Sequence, residues 1–155
     1  RDKAHCAGLL HDYARNLAEP ELLSLAQRHA YSIDPLEQQH PILLHGVVGA
    51  FLVQESGLCE DHEILAAIRL HVTGDSGMSR LAQLIFVADM IEPGRCYAGV
   101  ESLRDLAAAD PGQALISAFK LKMAYLTHLG ASVHPRTAAA LRWALTGSAG
   151  TGSGS

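Results

Sequence analysis

Five residues with the chemistry of metal ligands stand at separate points in a largely apolar sequence. They are His11, Asp12, His45, His71 and Asp89. His11 and Asp12 are adjacent and follow the small, apolar run 7–10, where a polar pair is not expected by default. Buried polar groups of this kind are costly unless they are hydrogen-bonded, ion-paired or bound to a metal. The set therefore predicts either a network of mutually bonded polar groups or a metal site.

The ligand types limit the metals that such a site could hold. Imidazoles and carboxylates without a thiolate are compatible with iron, manganese, zinc or magnesium, and they exclude only soft sites such as those of copper(I). A two-metal hydrolytic site needs these ligands around cations roughly 3.5–4 Å apart, with a carboxylate able to bridge them. If His11 and Asp12 lie on a helix, they diverge by about 100°. We therefore expect them to reach two neighbouring ions rather than to chelate one.

Each of these residues also has an explanation that involves no metal. A histidine at the end of an apolar stripe is more often a hydrogen-bonded core residue than a ligand. Asp89 is explained equally well by an ion pair with Arg95, and a His-Asp dipeptide occurs by chance. The conjunction of all five residues on one helical background is what favours the metal site.

The apolar residues around this set recur at the three- and four-residue spacing of helices, and no stretch alternates as a strand does. Asp34-Pro35-Leu36-Glu37 combines an acidic N-cap, a proline at the first helical position and a glutamate at the third, which is typical of a helix start. The sequence therefore predicts an all-α fold. The predicted helices cover residues 2–15, a segment opened by Glu19, and residues 34–57, 61–72, 78–91, 101–108, 110–130 and 134–145.

Length and composition predict a single globular domain. The chain has 155 residues, of which 48% are hydrophobic and 18% charged. We assign the domain to residues 1–146 and treat 147–155, which contains only Gly, Ser, Ala and Thr, as a flexible tail or linker. The sequence begins inside the first turn of a helix and without a Met, which predicts a piece of a longer protein.

Charge and cysteine usage exclude several classes of function. The net charge of -4 and the lack of a long basic run argue against a protein that binds duplex nucleic acid or an anionic membrane. The longest uncharged stretch, residues 41–54, is too short to span a bilayer. Cys6, Cys59 and Cys96 form no CxxC pair, which argues against a disulfide framework or a thiolate zinc site and favours the cytoplasm.

The motifs around the five residues occur in a recognisable order. His11-Asp12 is followed by His45-Gly46, then by His71-Val72-Thr73-Gly74, and finally by Ala88-Asp89-Met90-Ile91-Glu92-Pro93-Gly94-Arg95. This order strongly resembles the HD-domain family of symmetrical bis(5'-nucleosyl)-tetraphosphatases, of the YqeK type. The similarity runs from Ala4 to about Leu145, whereas a bare His-Asp pair indicates only the broader superfamily of metal-dependent phosphohydrolases.

The resemblance implies a helical HD bundle with a di-iron centre, with manganese, zinc or magnesium as alternatives, and the metal-dependent hydrolysis of diadenosine tetraphosphate to two ADP. The implied partner is a dinucleoside polyphosphate or an ADP- or GDP-like nucleotide. Position by position, the residues that match the metal ligands are His11, Asp12, His45, His71 and Asp89. Those that match the surroundings of the nucleotide phosphates are Thr73, Gly74 and Arg95, and catalysis is assigned to Asp12 and Arg95. The alternative for Arg95 is an ion pair with Asp89 or Glu92.

One part of the family pattern has no match. The family has a further histidine on a helix upstream of the His-Asp pair, and this sequence begins downstream of that point. His5 shares a helix with His11 and fits an exposed helix histidine instead. One metal would then lack a ligand, and uncovered apolar stripes would favour a homodimer. The alternatives to the enzyme are a catalytically impaired HD module that binds nucleotide or metal without turnover, and a purely structural helical bundle.

Overall fold

The described part of the protein is built from helices. The computed structural model describes residues 2–149, and within this range there are nine α-helices and no strand, which confirms the all-α fold. The helices are α1 (Asp2–Leu10), α2 (Glu19–Arg28), α3 (Pro35–Gln39), α4 (His45–Glu55), α5 (His62–Leu70), α6 (Arg80–Ile91), α7 (Val100–Ala109), α8 (Pro111–His128) and α9 (Pro135–Ala149). None of these helices combines the length and the apolar character needed to cross a membrane.

The start of α3 has the predicted capping box. Asp34 Oδ1 accepts a hydrogen bond from the Leu36 amide at 2.8 Å, and Glu37 Oε2 accepts one from the Asp34 amide at 2.9 Å. Pro35 occupies the first turn, where an amide donor would have no partner within the helix. Side chains also accept hydrogen bonds from backbone amides at the starts of α5, α6 and α8, where the caps are Asp61, Ser79 and Asp110.

The prediction of one helix over residues 34–57 is wrong, because the chain breaks at His40-Pro41. α3 ends at Gln39, a 3₁₀ helix spans Pro41–Leu44, and α4 begins at His45. Proline lacks the amide donor of a helix interior and disfavours helical backbone at the residue before it. His40 accordingly has φ -130° and ψ 74°. The break places His45 at the first turn of α4 rather than inside a long helix.

The first helix is shorter than the predicted span of residues 2–15. It ends at Leu10, and the chain continues in turns in which the Tyr13 amide donates to the Leu10 carbonyl at 3.1 Å. The Gly8 carbonyl, near the end of the helix, accepts a hydrogen bond from the His11 ring at 2.7 Å. His11 and Asp12 therefore lie just beyond a helix end and not on the helix.

The last helix is longer than predicted. α9 runs to Ala149 and so includes the first three residues of the segment that the sequence assigns to a flexible tail. The extension includes Gly147, a poor helix former, so it does not follow from local helix propensity. The rest of the predicted tail, residues 150–155, lies outside the described residues.

Two groups of buried side chains hold the helices together. The larger group includes much of α5, α6 and α8, and the centroids of its Phe86 and Phe119 rings lie 4.4 Å apart. The smaller group packs α2 against the 3₁₀ helix and α4 through Leu22, Leu44 and Val48. Full burial of each such side chain contributes about 1.5–3 kcal/mol.

α4 and α5 approach each other closely at a glycine. A Cβ atom at Gly46 would lie 2.9 Å from the Ile68 carbonyl oxygen and 3.0 Å from a Val72 methyl carbon. No larger residue fits there unless α5 moves. His45 and His71 are the direct neighbours of Gly46 and Val72 in the sequence, so this contact sets the distance between the two imidazoles.

Candidate functional site

The ends of four helices bring five polar side chains to one place. His11 and Asp12 follow α1, His45 opens α4, His71 follows α5, and Asp89 lies in the last turn of α6. Asp12 Oδ1 lies 3.2 Å from His45 Nε2 and 3.4 Å from His71 Nε2, and Asp12 Oδ2 lies 3.5 Å from His11 Nε2. Asp89 Oδ1 lies 3.8 Å from His11 Nε2. The structure thus brings together all five residues that the sequence singles out, and we call them the His/Asp cluster.

His11 and Asp12 converge, although their positions on a helix would make them diverge. Because α1 ends at Leu10, the two side chains are free of the helical separation of about 100°. Ligand atoms of His11, Asp12 and His71 all lie within 4.8 Å of one another. The predicted divergence of the adjacent pair is therefore wrong, and their geometry also permits one shared ion.

The three imidazoles of the cluster are held in the same way. Each ring contacts, through Nδ1, the carbonyl oxygen three residues earlier. The distances are 2.7 Å from His11 to Gly8, 2.6 Å from His45 to Ile42 and 2.7 Å from His71 to Ile68. A carbonyl oxygen only accepts, so Nδ1 carries the proton and Nε2 of each neutral ring carries a lone pair. Three lone pairs then face the Asp12 carboxylate.

This arrangement of lone pairs fits a bound cation. His45 Nε2 and His71 Nε2 lie 3.0 Å apart, a distance at which two lone pairs repel each other unless a cation or a proton lies between them. Histidine ligands of metals usually donate their other ring N–H to a carbonyl or carboxylate, which fixes the tautomer and the ring orientation. The donor set of three imidazoles and two carboxylates suits a divalent metal such as iron, manganese or zinc.

The electrostatics of the cluster favour the protonation states that coordinate a metal. When no cation is bound and the His71 ring carries a proton on Nε2, its hydrogen bond to Asp12, together with charge on the His11 and His45 rings, holds the pKa of the Asp12 carboxyl well below its usual range. Burial lowers the pKa of His45 to about 4. At neutral pH Asp12 is therefore ionised and His45 is neutral, as metal binding requires.

Metal-free protein is expected to lose stability as the pH falls from about 6.5 to about 4, and His45 should account for part of the loss. The unfolded chain protonates this imidazole near its ordinary pKa of 6.5, whereas the folded protein does so only near 4. Because the unfolded state binds the proton first, the free energy of unfolding should fall by about 2–3 kcal/mol across this window. Urea unfolding at a series of pH values, with a chelator present, measures the change.

A pair of histidine variants isolates this contribution. His45→Gln keeps a polar side chain but removes the titrating group, so its unfolding free energy should depend less steeply on pH. His5→Gln alters an exposed histidine of α1 and should keep the wild-type slope. If the His45→Gln protein and the wild type had the same slope, the attribution to His45 would be refuted.

Arg95 lies beside the His/Asp cluster and is bonded to one of its members. Its Nη2 donates to Asp89 Oδ1 at 2.9 Å, its Nε donates to the Asp89 carbonyl at 3.2 Å, and Glu92 Oε1 lies 3.7 Å from Nε. The ion pair that the sequence leaves as an alternative is therefore present. The Arg95 side chain is still 41% exposed, and its guanidinium has five donors, so it can also bind an anion.

A cavity of about 780 Å³ opens next to the His/Asp cluster, within the size range of small-molecule sites. Its wall includes three members of the cluster, His45, His71 and Asp89, and three cations, Arg15, Arg95 and Lys122. A metal-binding cluster that faces a cavity with three cationic side chains suits an anionic ligand of small-molecule size.

Thr73 and Gly74 follow His71 and occupy different environments. Thr73 is buried in the cavity wall, and its hydroxyl donates to the Gly74 carbonyl at 3.0 Å while its own carbonyl accepts from the Thr137 hydroxyl at 2.7 Å. Gly74 is not among the described residues that line the cavity; it has φ +67° and packs against Phe119. This packing explains a glycine at position 74, and its nucleotide-binding role stays a prediction.

Sequence reasoning did not single out Lys122 or Arg104. Lys122 lies three residues after Phe119 on an otherwise apolar stripe of α8. A lysine on such a stripe is the sequence feature that could have identified it. Arg104 on α7 donates to three backbone carbonyls of the turn that carries Arg95. The distances are 3.1 Å to Ile91, 2.8 Å to Glu92 and 3.0 Å to Arg95. No sequence motif marks Arg104, because its acceptors are backbone carbonyls, which every residue carries.

A buried polar network also escaped the sequence motifs. Glu37 Oε1 accepts a hydrogen bond from the Tyr31 hydroxyl at 2.9 Å and lies 3.3 Å from His134 Nε2, and Glu37 is almost completely buried. His134 is part of the cavity wall. Glu37 of α3 thus lies close to the residue that precedes α9, at one side of the cavity.

Comparison with known proteins finds a matching family model and similar proteins over most of the chain. A family model described as "HD domain" matches residues 1–94, a range that contains all five members of the His/Asp cluster. A Bacillus subtilis protein named "Bis(5'-nucleosyl)-tetraphosphatase, symmetrical" is 39% identical over 146 residues, which are 94% of this chain and 78% of that protein. A Halalkalibacterium halodurans protein of the same name is 37% identical over 139 residues, which are 90% of this chain and 74% of that protein.

A solved structure shows the same fold. It is described as a "predicted HD superfamily hydrolase involved in NAD metabolism" from Clostridium acetobutylicum, and it matches with a TM-score of 0.89 and 32% sequence identity. The match covers 94% of this chain and 77% of that chain. The helical arrangement and the sequence similarity therefore point to the same group of proteins.

Proposed function

This chain belongs to the HD-domain family of symmetrical bis(5'-nucleosyl)-tetraphosphatases, which are hydrolases, and from this premise we propose that it cleaves diadenosine tetraphosphate to two ADP at the His/Asp cluster. One observation carries the assignment to this site. Three Nε2 lone pairs and the Asp12 carboxylate face one another beside a cavity with three cationic side chains. In a purely structural bundle these facing lone pairs would need bridging protons, whereas a bound cation is stabilised by all of them and by the carboxylate.

The proposed ligands are the five members of the cluster, His11, Asp12, His45, His71 and Asp89. We propose a di-iron centre, as the family resemblance implies, and the same nitrogen and oxygen donors would also accept manganese, zinc or magnesium. Ions bound there would polarise a phosphoryl oxygen and lower the pKa of a bound water, so that hydroxide is available near neutral pH.

The protein's own groups would complete the reaction. Asp12 is ionised at neutral pH and half-exposed, so its carboxylate can orient the attacking water by accepting a hydrogen bond. Arg95 would donate to phosphate oxygens as negative charge moves to the departing ADP, and charge-assisted bonds of this kind are strong. The buried Thr73 would support the cavity wall beside the phosphates.

The proposed partner is a dinucleoside polyphosphate or an ADP- or GDP-like nucleotide, with no duplex nucleic acid and no membrane surface, in keeping with the net charge of -4. Exposed apolar side chains at Leu9 and Tyr13 support a homodimer. Three free cysteines support a location in the cytoplasm.

Protein purified without a chelator is expected to contain iron and to convert diadenosine tetraphosphate to ADP as the only nucleotide product. Elemental analysis measures the metal, and chromatography of the reaction mixture separates ADP from the AMP and ATP that asymmetric cleavage would give. Binding of nucleotide without product would favour the impaired HD module. Protein that retains no metal and gains no activity on adding iron, manganese, zinc or magnesium would refute the site.

A further inference from the structure

Lys122 places a positive charge in the cavity wall beside the His/Asp cluster. Its side chain extends from α8, and its ammonium donates a hydrogen bond to the carbonyl of Val72, the residue directly after His71. The Nζ atom also lies 5.4 Å from the centroid of the Phe86 ring, within the range of a cation–π contact. These two contacts hold the ammonium at the edge of the cluster.

The Lys122 ammonium has no acidic partner in residues 2–149. No ion pair joins it to a carboxylate in that range, and the nearby Asp89 is already paired with Arg95 at 2.9 Å. An ammonium has three N–H donors, and the Val72 carbonyl accepts from it. Burial lowers the pKa of Lys122 to about 8, so the charge is retained at pH 7 although burial disfavours it. A positive charge that burial disfavours, with N–H donors that Val72 does not use, indicates a site for an anionic ligand.

We propose that Lys122 binds phosphates of the substrate that lie away from the cleaved bond, and that it thereby selects polyphosphates over single phosphates. The proposal rests on the proposed function, because it takes a tetraphosphate as the ligand. Arg15, Arg95 and Lys122 line the same cavity. A single phosphate can be held by Arg95 and the His/Asp cluster, whereas a chain of phosphates extends further along the wall and needs another cation.

Binding of inorganic tripolyphosphate and of orthophosphate tests the proposal without turnover. Calorimetry on metal-loaded protein should show that Lys122→Met weakens tripolyphosphate binding at least about 10-fold, because the variant loses a charged hydrogen-bond donor to the phosphate chain. Orthophosphate binding should change less than about 3-fold on the same scale. Lys122→Arg keeps the charge and should retain most of the affinity for tripolyphosphate. Metal content measured after each titration shows whether the probe has removed the ion.

The matched control is Lys120→Met, which removes an exposed lysine from the same helix and should bind both probes as the wild type does. Equal losses for the two probes in Lys122→Met, or no loss for either, would overturn the proposal.

Kinetics separate this proposal from the proposed function. With diadenosine tetraphosphate, Lys122→Met should raise KM about 10-fold or more and leave kcat within about 3-fold. Active wild type with an unchanged KM in the variant would overturn the proposal and leave the function standing.

A role for Lys122 that is only structural predicts a different outcome. If the ammonium served solely to bond the Val72 carbonyl, Lys122→Met would lower the melting temperature and leave tripolyphosphate binding intact. If the charge is kept for ligand binding, its removal from a part-buried position should raise the melting temperature in the absence of phosphate by a few degrees. In that case tripolyphosphate should stabilise the variant less than the wild type.

Discussion

Replacing Asp12 by Asn is expected to strip the metal from the purified protein and to lower kcat for diadenosine tetraphosphate by at least about 10³-fold. Asp12 lies within 3.5 Å of all three imidazoles of the cluster, so its negative charge would attract a cation held by any of them. An asparagine amide can donate to the Nε2 lone pairs, so the fold should persist while the charge that attracts a cation is lost. Loss of several kcal/mol of transition-state stabilisation by metal gives the expected factor.

Elemental analysis, circular dichroism and steady-state kinetics on the same preparation check this prediction. Asp105→Asn is the matched control, because it makes the same change at an exposed position of α7 and should keep both metal and activity. A full complement of metal in Asp12→Asn would contradict the central position of this carboxylate. A loss of helical signal would show that the change had acted on the fold instead.

Replacing Gly74 by Ala is expected to lower the free energy of unfolding by about 2–5 kcal/mol. The backbone has φ +67°, which costs an alanine about 1–2 kcal/mol. The added Cβ would lie 2.6 Å from Phe119 Cε1 and 2.7 Å from Cζ, and such overpacking costs about 1–3 kcal/mol. Phe119 is fully buried against Phe86 and has little room to move. Urea unfolding followed by circular dichroism measures the difference.

Gly77→Ala separates backbone strain from the steric clash. Gly77 has φ +73°, but nothing lies within 4 Å of an added Cβ, so the expected loss is only about 1–2 kcal/mol. Equal losses in the two variants would contradict the contact with Phe119. Kinetics at a temperature where Gly74→Ala remains folded test its assignment to nucleotide binding. If the KM of Gly74→Ala at that temperature equals the wild-type value, Gly74 contributes to packing and not to nucleotide binding.

Much of the helical architecture follows from local sequence signals. Asp34 and Glu37 form the capping box that their spacing predicts, because a cap depends on residues within one turn. The prediction of one helix over 34–57 is wrong at His40-Pro41. Proline interrupts the helix there, although the helical spacing of apolar residues continues on both sides. No local sequence signal marks the end of α1 at Leu10. The hydrogen bond that the His11 ring makes there to the Gly8 carbonyl depends on how the ring is oriented within the cluster.

The sequence by itself determined the all-α class, the family resemblance and the five residue types that a metal site requires. Only the tertiary structure decided that His11 and Asp12 converge, that Arg95 pairs with Asp89, and that Lys122 reaches the cavity. The reason is physical. Helix periodicity and capping are local, whereas the direction of a side chain beyond a helix end depends on contacts from elements distant along the chain, such as the approach of α5 to Gly46.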